Sequence, residues 1–187
     1  MCERNETPSF PIVARRGTPS SAPPATPGAK QFMYLANLSE IASWTAGATG
    51  IYSNFTLDAG ASLYKFEVSK DTLIGRASLQ GGDQDLGSYN QEVAFQLKSL
   101  AIDSRNAVDT LNGPDLVAFV PTKNGEVLIM GKDIGCKMIT NDSTTEQDTF
   151  GETVVLQATQ MPNKPFHFFI TSVDATIALL ESKVTIS

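Results

Sequence analysis

From Lys30 onward, apolar and polar residues alternate with a period of two more often than with the period of a helix. In "SLYKFEVSK", Tyr64, Phe66 and Val68 alternate with Lys65 and Glu67, and in "QEVAFQLKSL", Val93, Phe95 and Leu97 stand opposite Glu92, Gln96 and Lys98. Successive side chains of a strand project to opposite faces, so both stretches predict strands with one face on a core and the other in water. "QFMYLANL", "NFTL", "TVVLQATQ" and the two runs of "LVAFVPTKNGEVLIMG" add further strands.

The connections carry their own signals. A turn is predicted at Asp58 to Gly60, and one helical turn in "SEIASW" with Ser39 as its cap. Asn124-Gly125 suits the two positive-φ positions of a tight type I′ hairpin turn. "DSRNAVDTLNG" predicts a helix of two to three turns, capped by Asp103 or Ser104, with Ala107, Val108 and Leu111 on one face and a stop at Gly113-Pro114. "FHFFITSVDATIALL" extends the strand pattern, although "DATIALLESK" also has helix-forming composition. The sum is a mainly β fold: an antiparallel sandwich or barrel with one short helix between strands.

Residues 1–30 break this pattern. They hold Pro8, Pro11, Pro19, Pro23, Pro24 and Pro27, without strand or helix periodicity, and read as an extended Pro-rich arm before a β domain of residues 31–187. The arm carries Arg4, Arg15, Arg16 and Lys30 against Glu3 and Glu6, a net +2, whereas the whole chain carries −6, which leaves −8 on the body. Within the arm, Phe10, Ile12 and Val13 followed by Arg15 and Arg16 are the candidate partner-binding residues, an apolar anchor beside a basic pair.

Composition narrows the function classes. A pI near 4.7 opposes a nucleic-acid-binding domain, which needs Lys and Arg to displace counterions from phosphates. The apolar runs fall short of the ~20 residues that cross a bilayer, and the first residues lack the apolar core of a secretion signal. Cys2 and Cys136 stand far apart and suggest reduced thiols rather than a disulfide framework.

Three stretches invite chemistry, and each reads better as structure. Gly131 to Lys137 resembles a phosphate loop, but the glycine spacing is one residue short, Lys137 does not follow Gly135 directly, and Met138 stands where a hydroxyl is needed. A strand ending at Met130, a turn through Gly131 to Gly135 and a new strand from Cys136 account for it. His167 alternates with Phe166 and Phe168 and has no serine elbow to serve. The acidic stretches 81–87 and 140–152 lack the ligand pattern of a calcium loop and read as solvated loops. No catalytic, cofactor-binding or metal-binding residue is assigned. Trp44, Tyr52, Tyr64 and Tyr89 are the aromatic residues available to a sugar platform, the weakest of the binding readings.

The order of the "YLAN" strand, the Tyr-Lys-Phe strand, "LQGGD" before "YNQEVAF", the "SRNAVDTL" helix and the Asn-Gly hairpin resembles small virion proteins of tailed phages infecting Bacteroidetes hosts. The similarity covers about residues 28–170 and departs at the Pro-rich arm and the C-terminal tail. It implies a non-enzymatic tail-tube or neck-ring subunit, made in the host cytoplasm and located in the virion. The implied assembly is a hexameric ring that contacts other tail, neck and portal proteins, with genomic DNA passing through unbound and no membrane involved. A capsid decoration or head-fibre protein is the alternative for a basic arm on an acidic β body.

Overall fold

The computed structural model describes residues 28–80, 87–146 and 150–184. Eleven strands form two sheets among these residues. The strands are β1 (Phe32–Asn37), β2 (Ile41–Ala46), β3 (Ile51–Leu57), β4 (Tyr64–Glu67), β5 (Ile74–Leu79), β6 (Tyr89–Leu97), β7 (Leu116–Pro121), β8 (Val127–Met130), β9 (Lys137–Thr144), β10 (Gly151–Met161) and β11 (Phe166–Phe168). Helix α1 (Ile102–Asp109) lies between β6 and β7, and α2 (Val173–Ser182) follows β11.

The larger sheet runs β2-β3-β11-β8-β7-β1-β4 and the smaller β5-β6-β10-β9. All pairs are antiparallel except β11 with β3, where His167 pairs with Ile51 and Phe168 with Tyr52. The mainly β expectation holds, as an open sandwich: strand pairing does not close the sheets into a barrel among the described residues.

Two apolar layers explain why the central strands lack a wet face. Met33, Leu35, Leu116, Ala118, Val120 and Met130 of the larger sheet face Val93, Phe95, Val154, Leu156 and Ala158 of the smaller one, and Val108 of α1 joins them. On the opposite face of the larger sheet, Tyr34, Phe55, Val117, Phe119, Ile129 and Phe168 pack with Leu180 of α2. Strand β7 is therefore buried at all six positions, and "LVAFVP" reads as a continuous apolar run because both its sides are covered.

An inserted amide ties turns of the two sheets together. Gln91 of β6 is 1% exposed; its Oε1 accepts from Gly131 N at 2.9 Å and its Nε2 donates to Asn163 O at 2.9 Å. Both ends of the amide are used, so its burial leaves no orphaned group to offset the bonds.

Several local expectations are corrected. The helical turn after β1 spans Leu38–Glu40 and starts at Asn37 rather than Ser39, with Asn37 Nδ2 donating to Glu40 Oε1 at 2.8 Å. Residues Ile41 to Trp44 are already strand, where the covering aromatic layer outweighs helix propensity. Helix α1 begins at Ile102, so Asp103 and Ser104 lie inside its first turn and neither caps it; the Ser99 hydroxyl accepts from Ala101 N instead.

The β7–β8 hairpin is present, but its turn is not type I′. Only Gly125 takes a positive φ, +90°, while Gly125 N donates to Thr122 O and Thr122 N to Glu126 O. A four-residue turn whose last residue is left-handed matches a bulged hairpin.

The C-terminal segment is helix rather than strand. Ser172 Oγ accepts from Ala175 N at 3.1 Å, and this cap starts α2. The described residues therefore hold two helices rather than the single one expected. Of the acidic stretch 140–152, residues 140–144 and 151–152 are strand rather than loop, and 147–149 lie outside the described residues. Tyr64 alternates in step with Phe66 and Val68, yet it is 52% exposed because β4 is the sheet edge.

Helix α2 is fastened by a polar contact as well as by Leu180. Lys65 Nζ lies 2.8 Å from Glu181 Oε1, and the buried Tyr34 hydroxyl donates to the same oxygen at 2.6 Å. The bond from Lys65, then that from Tyr34, holds Glu181 below its ordinary 4.5, while burial first and Glu181 second raise Tyr34 above its usual range.

A depressed carboxylate stabilises the fold fully above its unfolded value, and that contribution disappears as pH falls through the lower folded value. The urea midpoint should therefore drop on acidification below 4.5 more in the native chain than in Glu181→Gln. Because the Glu181 side chain is 40% exposed, the difference between them at neutral pH should not exceed about 1 kcal/mol. Parallel acid limbs for the two chains in urea titrations would contradict the linkage.

Candidate assembly surface

The junction between arm and body gives the surface its position. Ala29 pairs with Thr122, Lys30 N donates to Pro121 O at 2.8 Å, and Lys123 N donates to Gly28 O at 2.9 Å. Pairing therefore extends β1 backwards along the β7–β8 hairpin to Gly28. Residues 28–30, the last of the predicted arm, belong to the sheet, because the Pro121 carbonyl and the Lys123 N–H find their backbone partners there.

Gly28 and Ala29 line a groove of about 310 Å³ between the two sheets. Leu73, Ile74 and Gly75 at the start of β5 form one wall, Val120 and Leu128 of the larger sheet form the floor, and Glu126 lies at the polar rim. The groove stays open because β5 carries small residues on its inner side. Gly75 stands opposite Val93 and Ala77 opposite Gln91, both inward-facing, so nothing large from β5 fills the space.

Strand β5 escapes sequence reading for the same reason. Its inward positions 75 and 77 are glycine and alanine, so the apolar alternation that marks the other strands is missing. The remaining signal is Leu73, Ile74 and Leu79 around Gly75, Arg76, Ala77 and Ser78.

The candidate anchors Phe10, Ile12, Val13, Arg15 and Arg16 lie outside the described residues, as do Cys2 and residues 81–86 of the first acidic stretch. Cys136 is free and buried, and burial pushes its thiol up to about 12.

The Gly131 to Gly135 segment is a turn between β8 and β9, with φ of +75° and +89° at its two glycines. Its backbone is already engaged: Gly135 N donates to Gly131 O, Cys136 N to Leu116 O and Gly131 N to Gln91 Oε1. Those donors are turned into the protein rather than presented together to an anion.

The four aromatic residues considered for a sugar platform are dispersed. Trp44 and Tyr52 meet edge to face at 5.6 Å within the aromatic layer over the larger sheet. Tyr64 projects from β4, and Tyr89 packs against the core between the sheets. The surface formed by Trp44, Tyr52 and Phe166 is capped by Lys132, whose Nζ lies 5.6, 4.7 and 5.2 Å from their ring centroids. Asp133 lies 2.8 Å from that ammonium. Burial acts to lower the Lys132 pKa, but the bonds to Asp133 and Tyr52 prevail and keep it raised.

His167 sits half-buried in β11, its backbone paired to Ile51 and Leu128. Among the described residues, no three His, Cys, Asp or Glu side chains gather as metal ligands, and no helix is long and apolar enough to cross a membrane. Comparison with protein-family models, curated proteins and solved structures finds no match.

Proposed function

We propose that this chain is a non-enzymatic virion structural protein, a tail-tube or neck-ring subunit that assembles into rings around a DNA channel. The observation that carries the reading is the junction at Gly28 to Lys30, where a basic arm departs from an acidic β body beside a groove and an open sheet edge. A ring subunit needs a rigid body, an edge or arm that reaches the next copy, and a lumen that repels phosphates.

The two-layered sandwich suits the first need and the arm the second. The −8 on the body suits the third, because like charges repeated around a ring sum to a field that keeps DNA off the wall. The resemblance to tailed-phage virion proteins points to the same role.

Electron microscopy of the full chain at high concentration tests the proposal. Closed rings with an open centre, and stacks of them, are the expected result, and removal of residues 1–27 should abolish the stacks while leaving the body folded. Monomers or trimers that bind a capsid lattice would instead favour the decoration role.

A further inference from the structure

Among the described residues the sandwich has four strand edges, and three of them carry features that discourage pairing. Strand β2 is irregular at two places, between Ile41 and Ser43 and between Thr45 and Ala46. Strand β4 has only four residues, two of them Lys65 and Glu67. Strand β9 is bulged at Ile139, which its partner β10 skips between Val155 and Leu156, and it bears Lys137 and Asp142.

Strand β5 has none of these protections among the described residues. It pairs with β6 in unbroken register over six residues, contains no proline, and its one charge, Arg76, is held by Glu92 at 2.7 Å. Ile74 and Leu79, at its two ends, are 53% and 60% exposed. A regular edge with exposed apolar ends beside an unfilled groove is suited to accept another strand.

We infer that β5 receives residues 10–13 of a second copy of this chain, added as an extra strand whose Phe10 and Ile12 side chains fill the groove between the sheets. This rests on the assembly reading above and names its contact. Residues two apart in a strand share both a face and a hydrogen-bonding side. Phe10 and Ile12 therefore pair with β5 and point into the groove together, while Pro11, which lacks an N–H, has its nitrogen on the outer side, where no donor is needed.

Charge agrees with this placement. Arg15 and Arg16 follow the apolar segment, and the Glu126 carboxylate at the groove rim makes no ion pair among the described residues.

The occupant is a neighbour's arm rather than the chain's own. Residues 14–27 separate the segment from Gly28, which itself lines the groove, and four of them are proline. Proline favours extension at about 3.1 Å per residue, so this spacer reaches roughly 40 Å and resists doubling back to its own root.

Mixed cysteine chains test the contact, with Cys2→Ser throughout and buried Cys136 left in place. With Phe10 and Ile12 inward, Val13 shares the outer face with Arg76 and Ser78 of β5. Mixing a Val13→Cys chain with an Arg76→Cys or a Ser78→Cys chain should give, on mild oxidation, a disulfide heterodimer located by peptide mass spectrometry. Adding Phe10→Asp and Ile12→Asp to the Val13→Cys chain should cut its yield about tenfold or more, the equivalent of about 1.4 kcal/mol in affinity.

Absence of the heterodimer with both β5 variants overturns the inference. So does a double variant, Val13→Cys with Ser78→Cys, that cross-links only within one chain. Rings without these cross-links would leave the ring reading standing and remove this contact; cross-linked copies without rings would do the reverse.

Discussion

Gly131→Ala is expected to lower the unfolding free energy by about 3 kcal/mol, one of the two largest losses foreseen for a single substitution here. Two causes add. An alanine held at φ +75° is strained by about 1 kcal/mol or more, because its Cβ crowds the neighbouring carbonyl. The new methyl would also sit 2.6 Å from Cys136 Sγ, 2.8 Å from Cys136 N and 2.9 Å from Leu116 O.

Relief is blocked because that N and that O are bonded to each other at 2.7 Å, and they fasten the start of β9 to β7. The methyl yields only if that bond breaks. Gly60→Ala provides the control: φ is +88°, but nothing lies within 4 Å of the added Cβ, so only the backbone strain remains. Thermal melts should separate the two variants by several degrees, at about 2–4 °C per kcal/mol for a chain of this size. Equal melting points would show that the close approach at Gly131 does not exist.

Phe119→Ala is expected to cost about 3–5 kcal/mol, the range for emptying an aromatic site in a packed core. Phe119 is 0% exposed on central strand β7. Its ring stacks on Phe55 at 4.9 Å, meets Phe168 edge-on at 5.6 Å and lies 6.0 Å from Trp44. These neighbours come from β3, β11 and β2, so one ring joins four strands of the larger sheet, and their backbones are fixed by pairing and cannot collapse into the cavity.

Phe169→Ala, two residues beyond His167 and 38% exposed, should lose far less. Urea unfolding followed by Trp44 fluorescence reports both variants, since the only tryptophan belongs to this cluster. A Phe119→Ala midpoint close to that of Phe169→Ala would contradict the aromatic layer.

The candidate surface was legible in part. The contrast of charge between arm and body, and the apolar segment followed by Arg15 and Arg16, stand in the sequence as composition and order. The groove does not, because it is made by what is missing: Gly75 leaves space that Val120 and Leu128 border from a different sheet. Its nearness to Gly28 depends on the Ala29 to Thr122 pairing, a contact between residues far apart in the chain.

By itself, the sequence determined the strands with one wet face and the α1 helix, because period-two and helical patterns are written in local order. It also determined that 131–135 forms a turn, since glycine adopts positive φ at the least cost and the ligand spacing of a phosphate loop is absent. Only the tertiary structure decided that "DATIALLESK" is a helix, where Leu180 and Glu181 dock on the aromatic face and on Tyr34. It alone decided the bulged form of the Asn124-Gly125 turn, where Gly125 lies against Val173 of α2 and the Gly28 carbonyl accepts from Lys123 N. It also decided which edges lie open, because an edge is defined by the partners a strand lacks and local periodicity carries no record of them.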